Sequence, residues 1–183
     1  MDAESKLRED IYNALINSLN ETLFGKSAST TTRPAGLFYN VTEHGISDYA
    51  SLCAAEALVD DSNAKGELQY ICSNKAKSVL RQMIKGTNAT GMVYERGEVD
   101  GTPCTATSLI PDNYYMYGDL SNVIVAQFGD IIITLDPYTL AADSCVRVII
   151  DSWWDWKKVR EDENVIVYGE VTAPATTDSS TNG

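Results

Sequence analysis

The chain has one histidine, His44 in "VTEHGIS", and it is the only side chain whose ordinary pKa lies near neutrality. A Ser-His or Cys-His nucleophile system would have to recruit it, and no G-x-S-x-G elbow accompanies it. Cys53, Cys72, Cys104 and Cys145 form no C-x-x-C pair, so the thiols read as buried and free, not as zinc ligands or disulfides. "GDL", "GDI" and "LDP" place Asp119, Asp130 and Asp136 at or near strand ends, where a metal or glycosidase pair could sit. Each of the three adjoins Gly or Pro, and aspartate suits turns because its carboxylate accepts from nearby backbone amides. The turn reading is preferred. "YERGEVDGT" lacks the ligand register of a calcium loop, and neither G-x-G-x-x-G nor a phosphate-binding G-x-x-x-x-G-K-[ST] occurs. Tyr114, Tyr115 and Tyr117 could stack bases, but residues 101–130 contain no Lys or Arg to hold a backbone. The expectation is a protein with no catalytic residue, no cofactor and no metal.

Charge points the same way. With 26 acidic against 14 basic residues the net charge is -12, the wrong sign for gripping phosphates. An apolar fraction of 44% and 22% charged residues describe a folded, water-facing protein. The opening "MDAESKLRED" has no apolar signal core and no run is long enough to span a bilayer, so the expected setting is intracellular and the sequons at Asn20, Asn40 and Asn88 are chance.

These side chains are carried on elements that the hydrophobic period suggests. Leu7, Ile11, Leu15, Leu19 and Leu23 recur every four residues, so 5–24 is an amphipathic helix stopped by Gly25. A loop over 25–36 leads to a short strand, "GLFYNV". A helix follows over 47–61, capped by Ser47 or Asp48, with Tyr49, Leu52, Cys53, Ala55 and Val59 on one face. "LQYICS" is a strand running into a helix over 74–85 that Ser73 caps and that turns Ala76, Val79, Leu80, Met83 and Ile84 inward. From residue 92 onward the chain reads as strands: "MVYERGEV", "TPCTATSLI", "NYYMYGDL", "NVIVAQFG", "DIIITLDPY", "SCVRVIIDSWWDWKKV" and "NVIVYGEV". Helices early and strands late predict an α+β fold, a mixed sheet with helices on one side.

In order and spacing these segments resemble a tailed-bacteriophage major capsid protein of the Hong Kong 97 fold. The resemblance rests on Gly101 and Pro103 before the turn at Pro111, on Gly118, Asp119 and Ser121 at a strand end, and on the Asp136, Pro137, Tyr138 turn followed by a long returning strand. It extends over residues 5–170. It implies a spine helix and loop of a peripheral domain over 1–36, an axial domain over 37–145 and peripheral-domain return strands over 146–170, while the composition of 171–183, with little to bury, suggests a disordered tail. It further implies that the N-terminal arm and extended loop of the family are lacking, as in a fragment. The expected function is that of a coat subunit in an icosahedral shell, with an encapsulin-like compartment as the alternative. Implied partners are copies of the same chain in pentamers and hexamers, with scaffold, portal or decoration proteins. Sequence-specific nucleic-acid binding and membranes are not implied. The implied location is the virion capsid, after synthesis in the bacterial host cytoplasm.

The three tryptophans all fall in "DSWWDW", 151–156. At period two, Trp154 and Trp156 share a face with Val146, Val148 and Ile150, while Trp153 lies with Asp151, Asp155 and Lys157. The first two are expected to pack beneath the opening helix and Trp153 to meet a neighbouring subunit.

Overall fold

A computed structural model describes residues 3–86, 90–160 and 164–173. Helix α1 (Ala3–Leu23) is followed by α2 (Tyr49–Asp61), β1 (Leu68–Ser73) and α3 (Asn74–Leu80). Then come β2 (Tyr94–Glu95), β3 (Glu98–Val99), β4 (Thr102–Thr107), β5 (Tyr114–Asp119), β6 (Val123–Asp136), β7 (Arg147–Lys158) and β8 (Ile166–Glu170). Six strands form one mixed sheet in the order β2-β3-β4-β1-β5-β8, with β1 and β4 parallel and the other pairs antiparallel. Among the described residues, β6 and β7 pair only with each other.

The six-stranded sheet buries both faces. On one, Tyr70, Cys72, Tyr115, Tyr117 and Val167 pack against Leu52, Ala55 and Val59 of α2 and Ala76 and Leu80 of α3. On the other, Met116, Ile166 and Tyr168 pack on Phe38 and Ile110. The register explains the division, because Tyr117 lies opposite both Tyr70 and Val167, and Met116 opposite Ile71 and Tyr168. α2 and α3 thus cover one side of the sheet. Asp48 caps α2 by accepting from the Ser51 amide, and Ser73 caps α3 by accepting from the Ala76 amide at 3.1 Å.

Several expected elements differ. "GLFYNV" is a turn, not a strand: Asn40 has φ 54°, and the bend drops Phe38 onto Tyr168 with ring centroids 4.1 Å apart. The helix expected over 74–85 ends at Leu80, so Met83 is buried but Ile84 bridges to Met92 in the open. "MVYERGEV" folds back at Arg96 and Gly97, both with positive φ, into the β2–β3 hairpin. "NVIVAQFG" and "DIIITLDPY" are one strand, because Gly129 (φ 76°) produces an irregularity in β6 and not a reversal.

The unit boundary expected at 145/146 runs between β6 and β7, whose ladder joins Val123–Asp136 to Lys158–Arg147, while β8 of the expected return strands pairs with β5. Strand pairing therefore groups 123–158 together and leaves β8 in the six-stranded sheet. Val171, at the start of the expected tail, is buried and bridges to Ile46; residues 174–183 lie outside the described residues.

Candidate assembly surface

β6 and β7 build a long ribbon whose two faces differ. Between the pairs Phe128–Trp153 and Ile132–Asp151 the first strand advances by four residues and the second by two. The excess is even, so alternation survives the irregularity. Val125, Gln127, Ile150, Ser152, Trp154 and Trp156 fall on an inner face; Ile124, Phe128, Ile132, Asp151, Trp153 and Asp155 fall on an outer one.

α1 and the loop after it lie over the inner face, and Leu15, Leu19 and Pro34 line a groove with Ile150, Trp154 and Trp156. Ile11, Leu15 and Leu19 are half-buried, whereas Leu7 is 51% exposed. Trp156 is buried, and its indole N–H donates to the Ala35 carbonyl at 2.7 Å. Trp154 is half-buried and its indole N–H, itself covered, has no acceptor among the described residues. Trp153 points outward, 68% exposed, opposite Phe128 at 58%.

Gly118 and Asp119 form the joint between sheet and ribbon. Gly118 has φ 144° and a Cβ there would overlap the Val165 carbonyl, so no other residue fits. Asp119 is 3% exposed and accepts from the Ser121 hydroxyl at 2.6 Å, the Ser121 amide at 2.9 Å and the Gly66 amide at 2.8 Å. The Ser121 hydroxyl, ahead of the opposing effect of burial, holds its carboxyl below the ordinary range. At the far end of the ribbon, Asp136 accepts from the Tyr138 and Thr139 amides at 2.9 and 3.2 Å and from the Thr139 hydroxyl. Pro137 lies in that turn and Tyr138 is 86% exposed.

A second joint ties the loop after α1 to the sheet. Lys26 meets Glu43 at 2.7 Å and stands 3.7 Å over the Tyr114 ring, while Tyr168 and Tyr114 donate to the same carboxylate at 3.0 and 3.2 Å. The Lys26 hydrogen bond lowers the pKa of Glu43. Burial pulls the Lys26 ammonium down, but its bonds to Glu43 and the tyrosines outweigh that and raise it.

Chemistry finds little to work with. β6, 14 residues long, puts roughly 40 Å of strand between Asp119 and Asp136, with Asp130 in between. The three carboxylates do not converge. His44 lies beside β8, its amide bonded to the Tyr168 carbonyl and its carbonyl to the Tyr115 hydroxyl. Tyr115 and Tyr117 are core, not a stacking platform. Cys72 is buried, Cys53 and Cys104 are half-buried and Cys145 is exposed; all four are free. Among the described residues only Cys53, Glu56 and Asp100 could converge on a metal, their ligand atoms lying within 4.8 Å. Lys85 bonds Asp100 at 2.6 Å, Tyr49 donates to Asp100 at 2.9 Å and Tyr70 donates to Glu56 at 2.7 Å. The cluster is internally satisfied. No described helix is long and apolar enough to cross a membrane.

No family model matches the chain, and no curated protein matches it in sequence. Solved structures do. The chain superposes on the capsid of a native GTA particle with TM-score 0.63 at 13% identity, over 96% of this chain and 73% of that one. On the procapsid of satellite phage P4 the TM-score is 0.61 at 13% identity, over 96% and 66%. On the virus-like particle from Pyrococcus furiosus it is 0.53 at 14% identity, over 86% and 64%. The fold is therefore the phage-capsid fold of the Hong Kong 97 type, and the chain spans between about three fifths and three quarters of the length of these structures.

The site residues anticipated from sequence divide by location. Leu15, Leu19, Trp154 and Trp156 meet at the groove; Gly118 and Asp119 form one joint; Asp136, Pro137 and Tyr138 form the tip; Trp153 is exposed on the outer face opposite Phe128. Sequence reasoning missed Phe128, Gly66, Ala35 and the Lys26–Glu43 pair. For Phe128 the signal was present as strand alternation; for the others the contacts are between residues far apart, which carry no local pattern.

Proposed function

We propose that the chain is a structural subunit, or part of one, of a bacteriophage or prophage major capsid protein, which packs with copies of itself into pentamers and hexamers of an icosahedral shell around the genome. The observation that carries this reading is the superposition of 95–96% of the chain on capsid structures, including empty and native GTA particles. The chemistry is consistent: the subunit works by repeated contact, not by catalysis, and its surface offers exposed apolar groups on the β6–β7 ribbon. α1, the loop to Gly36 and the ribbon 123–158 serve as the peripheral domain, and the six-stranded sheet with α2 and α3 as the axial domain. Net charge -12 keeps a packed genome from adhering to the shell wall. Subunits made in the host cytoplasm meet scaffold, portal or decoration proteins during assembly.

The test is expression of the complete reading frame, followed by sedimentation velocity and negative-stain imaging. Rings or closed shells are expected; a monomer at every concentration and ionic strength overturns the proposal. An encapsulin-like compartment is the second reading, favoured by the match to the Pyrococcus furiosus particle. Purified particles decide between them: nucleic acid inside supports the phage coat, a protein cargo supports the compartment.

A further inference from the structure

Cys72 and Cys104 come from separate stretches of sequence and meet inside the six-stranded sheet, their sulfurs 3.4 Å apart. Cys72 is wholly buried and Cys104 half-buried, so one member of the pair lies nearer to water.

The strand register decides what two such sulfurs can do. β1 and β4 run parallel, with Tyr70 opposite Cys104 and Cys72 opposite Ala106, so the two cysteines are offset by two residues. With strands about 4.8 Å apart and a rise of about 3.3 Å per residue, their Cα atoms lie roughly 8 Å apart. A disulfide needs less than about 7 Å. Both strands are interior, β4 paired on its other side with β3 and β1 with β5, so neither can slide to close the gap without breaking a second ladder. A direct bond between the sulfurs is thus opposed by the backbone. A single atom placed between them is not. Two sulfurs on opposite sides of one ion stand about 4.6 Å apart, twice a metal–sulfur bond of about 2.3 Å. Side-chain rotation alone reaches that separation from 3.4 Å.

The surroundings select the class of ion. Among the described residues the one group of three His, Cys, Asp or Glu whose ligand atoms converge is Cys53, Glu56 and Asp100, so no third ligand of these types joins the pair. Structural zinc takes four ligands. A site of two thiolates and nothing else suits a soft monovalent ion, and Cu(I) is the one that thiolates favour. Two thiolates and one such ion carry a net charge of -1. The positive charge of Lys77, on α3, reaches both sulfurs and opposes it. Lys77 also stands 5.4 Å from the Tyr94 ring centroid, a contact that leaves its charge in place.

We propose that Cys72 and Cys104 form a two-thiolate site for a soft monovalent metal ion of the Cu(I) class. Binding makes two metal–sulfur bonds and releases both thiol protons to water, with no change of oxidation state. The bound ion ties β1 to β4 at the centre of the sheet. The site belongs to the single chain and does not rest on the coat reading.

The test uses the full chain carrying Cys53→Ser and Cys145→Ser, which leaves this pair as its only thiols. Cu(I) is titrated without oxygen against a chromophoric Cu(I) chelator. One ion per chain is expected, and Cys104→Ser should weaken binding by more than the roughly hundredfold that loss of an outer partner of a metal ligand costs. Unchanged affinity in Cys104→Ser overturns the site. X-ray absorption on the loaded chain needs no further variant: two sulfur neighbours are expected, and three or more ligands, or none of sulfur, overturn it. The metal-free chain is also treated with diamide, a thiol oxidant. Both thiols should still react after unfolding; a Cys72–Cys104 disulfide overturns the choice of an ion over a bond. Absence of shells alongside an intact Cu(I) result removes the coat reading alone, so the two failures are distinguishable.

Discussion

The six-stranded sheet and the β6–β7 ribbon belong to one chain but meet water on different terms. In the sheet, Tyr70, Tyr115 and Tyr168 are almost wholly buried and their hydroxyls reach Glu56, the His44 carbonyl and Glu43. In the ribbon, Ile124, Phe128, Ile132 and Leu135 are more than half exposed, and the covered Trp154 N–H has no acceptor among the described residues. A buried polar group that lacks a partner costs free energy, and an exposed aromatic gains little until something covers it. The sheet is thus complete within the single chain. The ribbon has the composition of a surface whose packing is finished by another molecule.

The sharpest way to test that contrast is to damage each region and compare. Leu80→Ala empties a fully buried site between α3 and the sheet. It is expected to lower unfolding stability by about 2–5 kcal/mol, measured by urea denaturation. Asp119→Ala comes next, at about 2–3 kcal/mol, because the Gly66 and Ser121 amides lose a charged acceptor at the joint. A ribbon change as costly as Leu80→Ala in the isolated chain would show that the two regions do not differ in this way.

What was legible in the sequence follows the same division. The four-residue spacing from Leu7 to Leu19 marked α1, and Gly118-Asp119 and Asp136-Pro137-Tyr138 marked both ends of β6, because helix period and turn chemistry are local. The strand alternation through 151–156 separated Trp153 from Trp154 and Trp156. The pairing of β6 with β7 was not legible, since register is fixed by contacts between distant residues, and the glycine at 129 imitated a turn. Nor was the drop of Phe38 into the core, where stacking on Tyr168 overrode the strand character of "GLFYNV".

Smaller effects separate groups that look alike in sequence. Trp156→Phe leaves the Ala35 carbonyl without its 2.7 Å donor and is expected to cost about 1 kcal/mol. Trp154→Phe removes an N–H that has no acceptor among the described residues, so the loss is expected to be near zero by the same urea measurement. Equal losses would show that the inner face is satisfied at both positions. Acid tests the Lys26–Glu43 joint. The Glu43 pKa is lowered in the fold, so its contribution is present above the ordinary carboxylate range and is lost as pH falls through the lowered value. The Lys26 pKa is raised, so its contribution persists at neutral pH and is lost only in strong alkali. Both groups are partly exposed, which limits the step. A near-ultraviolet circular dichroism titration from pH 6 to pH 3 should show a small change in the tyrosine signal, absent in Glu43→Gln.

The smallest effect on folding is expected where the effect on assembly is largest. Trp153 is 68% exposed although residues 29–35 border it, so Trp153→Ser removes little that the monomer buries. Its unfolding midpoint in urea should correspond to a change within about 0.5 kcal/mol of the parent. If the outer face packs on a neighbouring copy, that same substitution removes a ring that becomes desolvated in every subunit contact, and a loss of about 2 kcal/mol per contact is typical of such an anchor. Repeated around a ring, that loss turns particles into free subunits at concentrations where the parent assembles, a change sedimentation velocity resolves directly. The two measurements must diverge. A Trp153→Ser chain that unfolds readily would place the ring in the core, and one that assembles normally would make the outer face an ordinary wetted surface.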